Sequence, residues 1–270
     1  MKIGRQDHRS SAISTSNAQT IVVRGHDLTA ELVGTIGFTD HIWLLITGAL
    51  PSSAQRRVLD ATLVSIAEHG LVPSVQASRM TLAASPEALQ GAVAAGILGC
   101  GSVILGSSEA AGKFFADIAG RTGEALPLEA AIAQVVGEYR AAKRAIPGYG
   151  HPLHKEQDPR VARLFQVAAD SGTSGRHQQI AQAVERALPQ LTGRPLALNV
   201  SGAIPAVLLD AGYPLQALKG VPILARTASL IAHLLEEQQR PIGFVLSHAA
   251  AQGIDYDGSV PTGFVPGGDD

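Results

Sequence analysis

The segment 146–160 holds the residue types best suited to do chemistry. Gly148 and Gly150 flank a tyrosine, and His151 follows at once. Glycine permits a backbone with positive φ or a close approach to a ligand, and histidine exchanges protons near neutral pH. The guanidinium of Arg160 can hold a carboxylate through two parallel hydrogen bonds. The segment therefore indicates a site that binds a carboxylate and moves a proton, although a surface turn with a histidine and an arginine explains the spacing equally well.

Helices must position these side chains, because helical spacing follows the segment directly. Asp158 is a typical N-cap, and Pro159 suits the first helical position. The apolar residues at 161, 164, 165 and 168 then recur with the period of one helix face. The spacing predicts that Arg160 lies on the first turn of a rigid helix and that His151 lies on the tight loop before it.

Long helical periods recur along most of the chain, and convincing alternating patterns of the kind typical of strands are not found. The predicted fold class is therefore all-α. The many alanines and glycines of 87–111 predict a closely packed core helix or a subunit interface. The other predicted helices run from Thr39 or Asp40 to about Gly48, from Ser52 to Glu68, from Leu128 to Ile146, from His177 to Leu188 and from Gly220 to Glu237.

The composition excludes several classes of protein. The chain has 270 residues, of which 46% are hydrophobic, enough for a substantial core. Its net charge of −2 argues against a nucleic-acid or membrane-surface partner. Cys100 is the single cysteine, which excludes an internal disulfide framework and fits a reducing compartment. Since no run of about 18 apolar residues and no signal-peptide pattern is present, we expect a cytoplasmic protein without a membrane span.

The loop and the helix start together resemble the signature of the citrate synthase superfamily, with Pro147-Gly-Tyr-Gly-His151 and then Asp158-Pro-Arg160. This superfamily includes citryl-CoA lyases and the carboxy-terminal module of ATP-citrate lyase, and the chain is most similar to such compact lyase-type members. The resemblance implies a citrate synthase-like fold with a large and a smaller helical domain, assembled as a homodimer. It also implies coenzyme A as the thioester carrier of the substrate, and no metal ion.

The resemblance assigns roles to the residues of this segment. His151 would be catalytic and would take the proton of the substrate's tertiary hydroxyl group. Lys155 would meet a phosphate of coenzyme A, and Arg160 would hold a substrate carboxylate. The other residues expected to bind coenzyme A are Pro147, Gly148, Tyr149 and Gly150.

Three further positions match the family outside this segment. His69 follows Glu68 where the family has aspartate, histidine and glycine, and it would polarise the same substrate oxygen. Arg226 lies amid apolar residues, where burial without an anion is costly, and it would bind a substrate carboxylate. Arg240 would reach the site of the neighbouring subunit. From the residues alone, a helix-end cap, a paired surface arginine and a linker residue remain possible for these three.

Two positions depart from the family beside the acetyl group. Ile104 stands where citrate synthases have a histidine that helps to form the enolate, and ATP-citrate lyase modules lack that histidine too. Ser201 stands where lyases have an aspartate that exchanges a proton with the acetyl methyl carbon. A neutral serine is a poor base. Ser201 is still the third predicted catalytic residue, since Glu68 and Glu109 are poor candidates for the missing acid.

Four regions are predicted along the chain. Residues 1–19 would form a flexible N-terminus, and 259–270 a disordered tail rich in glycine, proline and aspartate. Residues 20–106 and 203–258 would form the large helical domain. Residues 107–202 would form the small domain that carries the loop for coenzyme A and substrate.

The predicted function is that of a citryl-CoA lyase-like enzyme. The reaction would be the reversible retro-Claisen cleavage of citryl-CoA, or of a related hydroxy-polycarboxylic acyl-CoA, to acetyl-CoA and oxaloacetate. One alternative is condensation of the citrate or methylcitrate synthase type with a non-standard acyl-CoA. Another is a catalytically inactive subunit that binds coenzyme A or a polycarboxylate.

Overall fold

Helices dominate the chain, which confirms the all-α fold class. The computed structural model describes residues 9–101, 105–150 and 157–264. In chain order the helices are α1 (Phe38–Thr47), α2 (Ser53–Ala67), α3 (Pro73–Ala84), α4 (Leu89–Leu98), α5 (Ser107–Arg121), α6 (Leu128–Ala141), α7 (Pro159–Asp170), α8 (Arg176–Thr192), α9 (Val200–Asp210), α10 (Gly220–Gln239) and α11 (Gly243–Gln252). A π-helical turn (Leu28–Leu32) and a 3-10 turn (Leu215–Ala217) complete the helical elements of these residues.

The chain divides into two units, each of which packs mainly within itself. The first unit comprises residues 1–69 and 100–228, and the second comprises residues 70–99 and 229–270. These limits differ from the predicted domain limits at 106/107 and 202/203, and the predicted division stays a prediction.

Helix α9 forms the centre of the first unit. It packs against α2, α5, α7 and α8, and its side chains from Ala203 to Leu208 are buried. Ile204 and Leu208 join one apolar cluster, while Ala206 joins a second cluster around Phe114 and Phe115. A fully buried leucine, isoleucine or phenylalanine contributes about 1.5–3 kcal/mol to folding. The two clusters therefore hold α9, and with it Ser201 on its first turn, in one place.

Three short strands precede α1, although none was predicted. Strands β1 (Ser14–Ser16), β2 (Ile21–Val23) and β3 (His26–Asp27) form an antiparallel sheet in that order. Strand β1 lies within 1–19, so the end of the predicted flexible N-terminus has regular structure. Two or three residues are too few for alternation to be recognised in a sequence, and backbone pairing supplies the structure instead.

Several helix limits differ from the predicted ones. Gly37 rather than Thr39 or Asp40 is the N-cap of α1, and Asp40 accepts a hydrogen bond from the Gly37 N–H. The predicted helix over 128–146 ends at Ala141, because Lys143 takes a left-handed conformation with φ +52°. The segment 87–111 contains α4, which ends at Leu98, and the start of α5 at Ser107.

The second unit packs α3 against α4 and against α11. Gly96 permits the close approach, because a Cβ at this position would lie 2.8 Å from the Ser74 carbonyl oxygen and 2.7 Å from Cδ1 of Leu230. The prediction of close packing in this small-residue segment is confirmed at Gly96.

One described stretch, Leu215–Gln239, is long and apolar enough to cross a membrane by length and composition alone. Core helices of water-soluble proteins meet the same two criteria. Helix α10 buries Val221, Ala225, Leu230 and Leu234. The stretch is therefore weak evidence for a membrane span, and the cytoplasmic location stays a prediction.

Candidate active site

The glycine loop is anchored by its tyrosine. Gly148 and Gly150 have φ values of +88° and +80°, as expected of glycines that shape a tight loop. The Tyr149 side chain is buried against Phe114 and Phe115, and its hydroxyl donates a hydrogen bond of 2.8 Å to the carbonyl oxygen of Ala181. Burial raises the pKa of Tyr149 well above its usual value. The phenol is thus a structural anchor, and only the Tyr149 backbone is left for the predicted contact with coenzyme A.

Hydrogen bonds hold this loop against the start of α9. The Gly150 N–H donates to the Ala197 carbonyl at 2.7 Å, and the Asn199 N–H donates to the Gly148 carbonyl at 2.9 Å. The Asn199 side chain also donates to the Gly150 carbonyl at 2.6 Å. A Cβ on Gly148 would lie 2.8 Å from Cα of Gly202. The two backbones can therefore meet only because both positions are glycine.

Asp158 joins the starts of α7 and α9. Its buried carboxylate accepts hydrogen bonds from Nε and Nη2 of Arg160, both at 2.9 Å, and from the Val200 N–H at 3.0 Å. Burial by itself raises the pKa of Asp158, but the bonds from the Arg160 side chain and from the N–H groups outweigh it and hold that pKa below its usual range. The pair uses Nε and Nη2 of Arg160, and no described residue accepts a hydrogen bond from Nη1.

Ser201 faces a second serine at the start of another helix. The Ser107 hydroxyl, on the first residue of α5, donates to the Ser201 hydroxyl at 3.0 Å. The starts of α5, α7 and α9 consequently meet near the glycine loop. Helix N-termini carry partial positive charge and unpaired N–H groups, so this region favours an anion. Sequence patterns did not point to Ser107, since a serine at a helix start is common.

Arg226 is buried, and most of its guanidinium has no partner among the described residues. The residue is only 5% exposed, and its Nε and Nη1 atoms have no hydrogen-bond partner among the described residues. It lies on α10 within the first unit, next to the buried Ala225. An unpaired buried charge is costly, which makes this arginine a strong candidate for binding an anionic ligand.

Two other predicted residues lie at exposed positions. Helix α2 ends at Ala67, and His69 follows it in an exposed turn with Gly70 at φ +67°. Arg240 lies in the turn between α10 and α11 in the second unit, with its side chain 81% exposed and 3.8 Å from Glu236. Both residues therefore lie at the protein surface.

The structure thus brings the glycine loop, Arg160 and Ser201 together through Asp158, Asn199 and Gly202. The predicted residues His151 and Lys155, as well as Ile104, lie outside the described residues. Glu109, a weak candidate for the missing acid, is paired with Lys113 at 2.6 Å. In the described part of the chain, no group of three His, Cys, Asp or Glu side chains could hold a metal ion.

Comparison with known families decides the identity of this fold. The family model for the citrate synthase C-terminal domain matches residues 51–243. The chain belongs to the citrate synthase family. The resemblance predicted from the loop motif and the citrate synthase-like fold are both confirmed.

The relatives of this citrate synthase family member differ in how much of their length the chain covers. A citrate/2-methylcitrate synthase of Bacillus subtilis is 25% identical over 207 residues, which cover 75% of this chain and 53% of the relative. The chain spans about half the length of the curated relatives it matches. The structure of a citryl-CoA lyase from Hydrogenobacter thermophilus is 31% identical, with a TM-score of 0.83 over 95% of this chain and 97% of that chain.

A second solved structure shares the fold. ATP citrate lyase from Methanothrix soehngenii, in complex with citrate and coenzyme A, has a TM-score of 0.74 and 23% identity, and the match covers 97% of this chain and 43% of that chain. The likeness to a citryl-CoA lyase therefore extends over nearly all of both chains, whereas the synthase is matched over about half of its length.

Proposed function

We propose that this chain is a citryl-CoA lyase-type enzyme, which cleaves citryl-CoA or a related hydroxy-polycarboxylic acyl-CoA to acetyl-CoA and oxaloacetate. The observation that carries the proposal is the near end-to-end match to a citryl-CoA lyase, over 95% of this chain and 97% of the other at 31% identity. The identity to this citryl-CoA lyase, at 31%, is also higher than the 25% identity to the citrate/2-methylcitrate synthase.

The proposed substrate has several carboxylates, and the site offers positive charge to hold them. Arg226 is a buried guanidinium whose Nε and Nη1 lack partners in the described residues, so a carboxylate would relieve the cost of its burial. Asp158 orients Arg160 through Nε and Nη2, and Nη1 has no hydrogen-bond partner among the described residues. Arg240 is the third proposed carboxylate-binding arginine, and its exposed side chain could serve the neighbouring subunit.

The proposed proton chemistry begins at the tertiary hydroxyl group. His151 takes the hydroxyl proton, and the oxygen's electron pair forms the new carbonyl of oxaloacetate while the adjacent carbon–carbon bond breaks. The electrons of that bond pass into the thioester and form an enolate. His69 polarises the same oxygen. A proton then returns to the enolate carbon and gives acetyl-CoA.

Ser201 and Ser107 are proposed to stabilise the enolate. Their hydroxyls contact each other at 3.0 Å at the starts of α9 and α5, where helix dipoles favour negative charge. Preorganised donors aimed at developing charge are a major source of catalysis. A neutral serine does not replace the aspartate of lyases as a base, so we expect slow turnover.

Coenzyme A is proposed to lie along the glycine loop. The backbone from Pro147 to Gly150 is held by Asn199 and by the Tyr149 anchor. Its glycines permit a close approach of the thioester or pantetheine chain. Lys155 would add a charge for a phosphate group.

A homodimer is proposed as the working assembly. The second unit exposes large apolar side chains, including Leu98 at 86%, Phe244 at 70%, Leu235 at 55% and Ile231 at 52%. Exposed apolar side chains of this kind often mark interfaces between subunits. Sedimentation of the purified chain tests this proposal, and a monomer at micromolar concentration would contradict it.

The proposed activity is tested by incubating the purified chain with citryl-CoA and measuring acetyl-CoA and oxaloacetate. The reverse assay supplies acetyl-CoA, propionyl-CoA or other acyl-CoA compounds with oxaloacetate and would detect condensation. Cleavage faster than condensation supports the lyase. Ser201 favours one second candidate, an inactive subunit that binds coenzyme A or a polycarboxylate. Thermal stabilisation by citrate or coenzyme A without turnover in either direction would favour that candidate and exclude the enzyme.

A further inference from the structure

A buried ion pair lies directly beneath the turn that carries Arg240. Arg79 on α3 is 2% exposed, and its Nε donates to the equally buried carboxylate of Glu237 on α10 at 2.6 Å. Glu237 in turn accepts hydrogen bonds from the N–H groups of Ile242, at 3.0 Å, and Gly243, at 2.8 Å. All these residues belong to the second unit.

Arg79 also reaches Arg240 itself. Its Nη2 donates to the backbone carbonyl oxygen of Arg240 at 3.1 Å. Gly243 brings the start of α11 close to α3, because a Cβ there would lie 2.9 Å from the Arg79 carbonyl oxygen. The turn from residue 240 to residue 243 is therefore held at its beginning by Arg79 and at its end by Glu237.

Arg79 also contacts Glu236, the acid that lies near the Arg240 side chain. Arg79 Nη1 lies 2.9 Å from Oε2 of Glu236, while Arg240 Nη1 lies 3.8 Å from Oε1 of the same carboxylate. An exposed pair at 3.8 Å contributes little binding energy. Since Arg79 holds Glu236 more closely, the Arg240 guanidinium stays available for another anion.

We propose that Arg79, with Glu237, is a positioning residue for Arg240: it fixes the backbone of the turn, and it binds Glu236 so that this acid pairs only weakly with the Arg240 guanidinium. The inference rests on the proposed role of Arg240 as a carboxylate-binding residue. Arg79 and Glu237 would touch no substrate, and they would act only through the position and freedom of Arg240. An arginine is required because one guanidinium makes all three contacts through Nε, Nη1 and Nη2.

The test substitutes Arg79 by lysine. Arg79→Lys keeps a positive charge beside Glu237, but a single ammonium group cannot replace the branched contacts to Glu236 and to the Arg240 carbonyl. We expect the KM for citryl-CoA, and the Kd for citrate by calorimetry, to rise roughly tenfold, which corresponds to one lost charge-assisted contact. The kcat should change less than the KM, because the lost contacts affect the binding of the substrate rather than the chemical step.

A double-mutant cycle separates positioning from general stability. In an Arg240→Met background, Arg79→Lys should raise the KM by less than about twofold, because the effects of substituting two residues that act through one another are not additive. Arg121→Lys is the matched control, since Arg121 bridges Asp117 and Glu138 on α5 and α6 away from the proposed site. It should leave both the KM and the Kd unchanged.

Additive effects in the cycle, or an unchanged KM and Kd in folded Arg79→Lys, would overturn the inference. If Arg79→Lys does not fold, the double variant Arg79→Gln/Glu237→Gln removes both buried charges together. It then takes the place of Arg79→Lys in the cycle with Arg240→Met. A wild-type chain that neither cleaves citryl-CoA nor binds citrate would overturn the proposed function and this inference with it. An active wild type with an additive cycle would overturn this inference alone.

Discussion

Replacing Arg226 by methionine is expected to stabilise the ligand-free protein and to abolish its affinity for citrate. The residue is 5% exposed, and its Nε and Nη1 have no hydrogen-bond partner in the described part of the chain. Each buried polar group without a partner costs about 1–3 kcal/mol of folding free energy. Methionine is of similar length and flexible, so it can fill the same space without that cost.

We expect the free energy of unfolding to rise by about 2 kcal/mol. Two unpaired nitrogens could account for more, but the site can relax around them, and the substitution also removes packing contacts of the arginine's aliphatic stem. For a chain of this size, 1 kcal/mol corresponds to a Tm shift of about 2–4 °C, which predicts a rise of about 4–8 °C without ligand. Saturating citrate at a hundred times its Kd would stabilise the wild type by about 2.7 kcal/mol. The order of stability should therefore reverse when citrate is added.

The measurement is thermal or denaturant unfolding of both proteins with and without citrate, combined with calorimetric titration. Arg186→Met serves as the control, because Arg186 is an exposed arginine on α8 outside the proposed site. It should change neither the Tm nor the citrate effect. If Arg226→Met lowers the Tm of the ligand-free protein and citrate still stabilises the variant as it does the wild type, the reasoning on the buried guanidinium is refuted.

Three further outcomes are expected. Ser201→Asp should raise the kcat for citryl-CoA cleavage by up to about 100-fold by restoring a base, whereas Ser201→Asn should not; a rate for the aspartate variant at or below the wild-type rate would contradict the assignment of this position. Gly202→Ala should lower the free energy of unfolding by about 1–3 kcal/mol, because its Cβ would lie 2.6 Å from Leu198 Cδ1 and 2.8 Å from the Gly148 carbonyl oxygen, and a chemical-denaturation midpoint equal to that of the wild type would count against this packing. The free energy of unfolding should decrease as the pH drops below about 4. Burial raises the pKa of Asp210, but the hydrogen bonds to its carboxylate outweigh burial and hold that pKa below its usual value in the folded state. The resulting stabilisation is present above the unfolded pKa and is lost as the pH falls through the folded pKa. Asp210→Asn should therefore be less stable than the wild type at pH 7 and approach it in acid, and a constant difference from about pH 7 to about pH 2 would exclude this linkage.

Local signals predicted much of the fold and part of the site. Helical periods predicted most helices of the described chain, and the Asp158-Pro159 start was predicted because capping depends on neighbouring residues alone. The positive φ values of Gly148 and Gly150 followed from the same kind of local argument. The loop motif also predicted the family, which the match over residues 51–243 confirms.

Contacts between distant residues could not be predicted in this way. Ser107 faces Ser201 across a separation of 94 residues, and Arg79 meets Glu237 across 158. Neither pair has a spacing that periodicity can detect. The short strands before α1 were missed for a related reason, because their pairing depends on a partner strand rather than on an alternating pattern.

The sequence by itself determined the helical class, the glycine turn, the start of α7 and the family, since each depends on residues that are neighbours along the chain. Only the tertiary structure decided that the Tyr149 phenol is an anchor, that Asp158 holds both Arg160 and the Val200 N–H, and that Arg226 is buried without a partner among the described residues. The physical reason is that burial and hydrogen-bond satisfaction are properties of the packed chain. An unpaired arginine destabilises the protein, and therefore favours the binding of an anion, only when folding has removed the water around its charge.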